Sequence, residues 1–164
     1  MIRIIIAITF IAFTSKVNAL EKCDILGSLE ADPLKKTVPV KFEDLQYLEL
    51  IEACTEAIAI QDHNIARYYL LRAMGYLKSG SYEKATSDIN RSHEMGYVAA
   101  TFALATLHHF GEAMPKDLTR AESLYKLAYS NGVKWAAQGL SILYNDISFS
   151  RYNLKLSHEW LEKF

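Results

Sequence analysis

The sequence predicts an all-α protein, a solenoid of about three antiparallel helical hairpins behind an N-terminal helical cap. Three observations predict it. Structural marks recur every 36 residues, single glycines stand where helices stop, and Ala or Ser recurs where paired helices approach. A repeat at that period is the signature of stacked supersecondary units, none of which buries its apolar stripe alone.

Residues 1–19 read as a secretory signal peptide. Arg3 supplies a positive start, Ile4 to Phe13 is an apolar run broken only by Thr9, and Val17 and Ala19 stand where signal peptidase needs small side chains. The rival is an uncleaved membrane anchor. Spanning hydrocarbon takes roughly 20 apolar residues, and this run is about half that before Lys16 and Asn18 interrupt it. Cleavage after Ala19 is therefore expected, with an exported product in the periplasm or outside the cell.

Residues 20–62 form the expected cap. "CDILGSLEADP" reads as a short helix stopped at Asp32-Pro33, because proline disfavours helix in the residue before it. Lys35 to Lys41 carries Val38-Pro39-Val40 and reads as extended. A long helix is expected from about Glu43 to Gln61, with Leu45, Leu48, Ile51, Cys54 or Thr55, and Ile58 on one face. Cys23 and Cys54 are the only cysteines. In an oxidising compartment an even pair favours a disulfide; two free buried thiols is the alternative if the leader is misread.

Residues 63–164 carry the repeat, in units of about 64–97, 98–133 and 134–164. Ser81, Asp117 and Asn153 superpose as helix N-caps, whose side-chain oxygen can take an orphan backbone N–H. Ala85, Ala121 and Ser157 follow four residues later, then Ile89, Tyr125 and Leu161, then Ser92, Ala128 and Phe164, all on one helical stripe. Gly96 and Gly132 match as C-terminal stops. In the preceding helices Ala100, Leu104, Ala105 and Leu107 superpose on Ala136, Leu140, Ser141 and Leu143, and His108 on Tyr144. The first unit turns through the short "KSGS" and the second through the longer "HFGEAMPKD".

These residues resemble the tetratricopeptide superfamily. The segment "YLLRAMGYLKSGSYEKATSDINRSHEMGY" is similar to a tetratricopeptide unit in Ala73, Tyr76, Gly80 and Ala85. "AATFALATLHHFGEAMPKDLTRAESLYKLAYSNG" is similar to the Sel-one-like variety in Ala100, Leu104, Gly111, Asp117, Ala121, Tyr125, Ala128 and Gly132. It departs at Ala105 and Ala113, where that variety usually has glycine, and the third unit has lost its turn glycines. The resemblance covers about 100 residues and implies a right-handed α-solenoid. The opening "CDxL" with the later "EACTEAI" also resembles the leader of many exported bacterial proteins of this kind. The resemblance implies that two such cysteines tie a short helix to the first long one.

Charge excludes some function classes. Of the chain's 18 basic residues, Arg3 and Lys16 leave with the leader, so 16 face 19 acidic ones, a net charge of roughly −3. No basic stripe exists to recruit nucleic acid or anionic lipid. After leader cleavage no segment is long and apolar enough for stable membrane insertion.

Catalytic signals are sparse. S-x-x-K occurs at Ser81–Lys84 and Ser123–Lys126, the spacing that sets a nucleophilic serine one turn from a lysine in penicillin-interacting enzymes. Some exported Sel-one-like proteins are linked to beta-lactam binding. Binding of cell-wall fragments or beta-lactams, with or without weak hydrolysis, is therefore the alternative function. Neither S-D-N nor K-T-G accompanies the motif. His63, His93, His108, His109 and His158 show no zinc-ligand spacing, and seven single glycines build no phosphate cradle. No cofactor, metal or enzymatic activity is expected.

The expected function is non-catalytic protein–protein interaction, as an adaptor or scaffold. The resemblance implies binding on the concave face, formed by the first helix of each unit. Its inward positions are Arg67, Leu70 and Met74 in the first unit, Phe102, Thr106 and His109 in the second, and Trp135, Gln138, Ile142 and Asn145 in the third. The expected partner is a peptide or protein segment. Homodimerisation through the exposed C-terminal end is also expected, because the shortened third unit carries no following hairpin.

Overall fold

A computed structural model describes residues 19–164; the leader expected over residues 1–19 lies outside them except for Ala19. The described residues are all-helical, with no strand among them. Helix α1 covers residues 19–27. An irregular segment and a 3-10 turn at Phe42–Asp44 lead to α2 (Tyr47–Ala59), α3 (Ile65–Lys78), α4 (Tyr82–Glu94), α5 (Val98–Phe110), α6 (Leu118–Ser130), α7 (Trp135–Tyr144) and α8 (Leu154–Leu161).

From α2 onward each helix packs on the next in chain order, so the pairs α3–α4, α5–α6 and α7–α8 form three stacked hairpins. First helices also meet across units, α3 with α5 and α5 with α7, while no comparable contact joins α4 to α6 or α6 to α8. The stack therefore curves with α3, α5 and α7 on its inner side.

Residues of the 36-residue register build the core. Ala85, Ala121, Ser157, Ala100, Leu104, Ala105, Leu107, Ala136, Leu140, Ser141 and Leu143 are all buried. Small side chains at these sites let helix axes approach. Gly139 shows the limit, since a Cβ there would lie 2.6 Å from the Tyr125 ring. Gly96 and Gly132 end their helices in the left-handed region, at φ 82° and 94°. Asp117 and Asn153 accept hydrogen bonds from the backbone N–H of Arg120 (2.8 Å) and Leu156 (3.0 Å), as N-caps do. Ser81 does not cap α4 through its side chain. In the tight first turn its Oγ is 3.0 Å from the Ser79 hydroxyl, which donates to it.

The cap departs from expectation at three points. Helix α1 ends at residue 27, ahead of Asp32-Pro33. Gly27 packs against Leu50 and Leu71 there, where a Cβ would meet Leu50 Cδ1 at 2.7 Å. Helix α2 starts at Tyr47 rather than Glu43, because Phe42–Asp44 forms a separate turn. Its buried stripe is Leu50, Ala53, Cys54 and Ala57, while Leu48 is 70 % exposed. Of the expected face, Leu45 and Cys54 are buried and Ile51 and Ile58 half-buried, so Leu48 alone is misplaced; the alanines that admit α3 at close range complete the stripe.

Cys23 and Cys54 form a disulfide, Sγ–Sγ 2.06 Å, both fully buried. It fastens α1 to α2. Residues 28–41 then fold back on themselves: the Val40 N–H donates to Ser28 O at 2.8 Å, Ser28 Oγ to Thr37 O at 3.0 Å, and Thr37 Oγ1 to Asp24 O at 2.7 Å.

Candidate functional site

The inner side of α3 and α5 is partly occupied by the chain's own N-terminal segment. Arg67, on the first turn of α3, grips Asp24 of α1 with two parallel bonds of 2.8 Å, Nε to Oδ1 and Nη2 to Oδ2. Both side chains are buried. Burial raises the Asp24 carboxyl above its ordinary value even against the Arg67 charge. Next along the trough, the Tyr97 hydroxyl donates to Asp32 Oδ2 at 2.6 Å. Burial and that carboxylate push the Tyr97 phenol far above its usual range. Two carboxylates thus moor residues 24–32 along the N-terminal ends of α3 and α5.

Beyond this mooring a cavity of about 500 Å³ opens between the segment and the two helices. Met74 and Leu77 of α3 form one side, and Phe102, Ala103, Thr106 and Leu107 of α5 form the floor. Leu29, Val40 and Phe42 supply the opposite wall, with Glu30, Lys41 and Glu112 among its polar lining groups. The volume lies within the range of ligand-binding clefts, and the lining is apolar with few polar groups, as such clefts are. A second hollow, about 310 Å³, is lined by Pro33, Lys35, Lys134 and Trp135 and shares Glu30 and Ala31 with the first. The segment at residues 30–31 divides the trough.

The ten expected inward residues therefore separate. Met74, Phe102 and Thr106 come together in the larger cavity. Trp135 lies in the smaller one, half-buried, with its ring edge-to-face on Phe164 at 4.9 Å. Gln138 is half-buried; Ile142 farther along α7 and Asn145, just past its last residue, are exposed. Arg67, Leu70 and His109 are buried inside the fold and present no open surface. Arg67 is consumed by Asp24, Leu70 by the core, and His109 Nδ1 lies 3.2 Å from the Tyr125 hydroxyl. Tyr97 and the wall residues Leu29, Val40 and Phe42 were not anticipated. Their roles depend on a chain reversal that no local spacing announces. The one available signal was Asp24 itself, carried to α3 once Cys23 is fixed.

Neither S-x-x-K pair assembles a nucleophile with a base. Ser123 Oγ donates to Thr119 O at 3.1 Å, and Lys126 Nζ donates to Glu122 at 2.7 Å. Lys84 lies over the Tyr76 ring at 5.6 Å. No group of three metal-ligating side chains occurs among the described residues.

The solved structure of a Sel1 repeat protein from Oxalobacter formigenes superposes on this chain with a TM-score of 0.58. The fold is of the Sel1-repeat type. Identity across that match is 24 %, and it covers 72 % of this chain and 48 % of the other, so the chain spans about half the length of the solved one. No family model and no curated protein matches the sequence.

His109 gives this inner side a pH dependence. Burial lowers its imidazole below the ordinary value, helped by the Lys116 charge and opposed by Asp146. The folded state thus binds this proton less readily than the unfolded chain. Stability is complete above the unfolded value of about 6.5 and is lost as pH falls below it. His93, also lowered by burial, acts in the same direction. The urea midpoint is expected to fall from about pH 7 to about pH 5 by more in the wild type than in His109→Gln. Equal falls contradict this assignment.

Proposed function

We propose that the chain is an exported, non-catalytic binding module that seats a large apolar side chain of a partner peptide or protein segment in the trough. The observation that carries this reading is the cavity between α3, α5 and the returning N-terminal segment, lined by Met74, Phe102, Ala103 and Thr106. Interfaces draw most of their affinity from a few apolar anchors that fill well-formed pockets. The Thr106 hydroxyl and the carboxylates of Glu30 and Glu112 orient the flanking backbone. Trp135, Gln138, Ile142 and Asn145 extend the contact along α7.

Export is supported by the disulfide, since such bonds persist in oxidising compartments. The leader-like residues 1–19 agree with it. No helix among the described residues is long and apolar enough to cross a membrane.

A random peptide library displayed on phage tests the reading. Selection on the immobilised chain is expected to enrich sequences sharing one Leu-, Phe- or Trp-sized anchor. Ala103→Leu fills the cavity and is expected to weaken those peptides about tenfold or more, roughly 1.4 kcal/mol. Leu127→Ala, at an exposed position on the second helix of its hairpin, leaves them unchanged. Equal binding by the wild type and Ala103→Leu removes the cavity from the account.

A further inference from the structure

A line of side-chain contacts runs from the trough floor to a buried histidine. The Tyr125 hydroxyl of α6 lies 3.4 Å from Oγ1 of Thr106, a floor residue, and 3.2 Å from His109 Nδ1. The Tyr125 ring also packs on Phe102, the aromatic of the floor, and stands edge-on to the His109 ring, with centroids 5.8 Å apart in both pairs. Tyr125 and His109 are 1 % and 2 % exposed, so a charge on the imidazole meets almost no water unless its neighbours move. Lys116, in the turn after α5, and Asp146, just past α7, are the charged groups that face it, and they pair with each other at 3.2 Å. Among the described residues no other charge bears on the ring from α3, α4, α6 or α7.

Counting protons shows how a charge on His109 is felt in the trough. Thr106 donates its one hydroxyl proton to Phe102 O at 3.1 Å, so its oxygen serves the trough only as an acceptor. A neutral imidazole with a bare Nδ1 takes the Tyr125 proton. An imidazolium carries a proton on both nitrogens, so its Nδ1–H donates to Tyr125 and turns the Tyr125 proton onto Thr106 Oγ1. The acceptor that orients a bound backbone is then engaged from behind. On the reading that the cavity seats a peptide anchor, we propose that the trough releases its partner on acidification, with His109 acting through Tyr125 on Thr106 and Phe102. Desolvation resists a charge on His109, and a seated apolar anchor excludes water further and resists it more. Proton and partner therefore compete, and by linkage each weakens the other by the same factor.

Calorimetric titration at about pH 7.5 and about pH 5.0 tests this, with a phage-selected peptide capped at both ends and free of Asp, Glu and His. The wild type is expected to bind about fivefold or more weakly at the lower pH, the small end of coupling between linked sites. His109→Gln and Tyr125→Phe are expected to bind nearly equally at both. Glu30 and Glu112 stay in all three chains, so any contribution of theirs is common to them. Followed by NMR, the wild-type His109 imidazole should titrate at lower pH by the matching amount when the peptide is saturating. A wild-type affinity that does not change with pH overturns the coupling. So do variants that weaken as much as the wild type, or a His109 titration that the peptide leaves in place. Ala103→Leu at the higher pH separates two kinds of failure: a peptide it does not weaken sinks the cavity reading, and the coupling with it.

Discussion

Replacing Arg67 with alanine is expected to destabilise the fold by about 3–5 kcal/mol, the usual cost of stranding one member of a buried ion pair. The Asp24 side chain is 11 % exposed and has both oxygens committed to Arg67. Without the guanidinium the carboxylate must stay buried and uncompensated, protonate, or pull α1 off α3. Removing both members, as Asp24→Leu with Arg67→Met, is expected to cost far less, because no stranded charge remains. Urea denaturation of the three variants measures this. A loss below about 1 kcal/mol for Arg67→Ala, the scale of exposed pairs, contradicts the view that this bond moors the N-terminal segment.

Removing the disulfide is the second large effect. Cys23 and Cys54 are 31 residues apart. Opening that loop with Cys23→Ala and Cys54→Ala is expected to cost about 3–4 kcal/mol on the chain-entropy estimate. The consequence reaches the trough, because Leu29, Val40 and Phe42 form the cavity wall only while the segment stays down. Peptides selected on the wild type are therefore expected to bind the cysteine-free chain more weakly. The losses should not add when combined with Arg67→Ala, since neighbouring residues 23 and 24 hold the same helix. A fully additive triple variant contradicts a shared mooring.

The repeat was legible in the sequence because its marks are local. Gly96 and Gly132 need positive φ, Asp117 and Asn153 cap their own helices, and Ala100 and Ala136 admit a neighbouring axis. Each requirement falls within one turn of its residue. The pairing of Cys23 with Cys54 was legible for a different reason, as the chain holds only two cysteines. What was not legible depends on long-range return of the chain. Arg67 stands at an inward position by register, yet a carboxylate 43 residues away takes it. Leu48 outweighs Ala53 by size, yet the approach of α2 to α3 favours the smaller side chain. Of the expected binding residues, Met74, Phe102 and Thr106 reach one cavity because they lie where the returning segment leaves a gap. Arg67 and Leu70 lie where it does not.

Binding in the trough requires its apolar floor and returning wall to receive a partner together. A methyl-labelled NMR spectrum, titrated with a peptide selected on the wild-type chain, tests this most directly. The expected result is a cluster of shifted methyls at Leu29, Val40, Met74, Ala103 and Leu107, with those of the second helices α4 and α6 unmoved. Shifts concentrated at exposed methyls of those second helices, such as Leu127, with the cavity methyls silent, would contradict it.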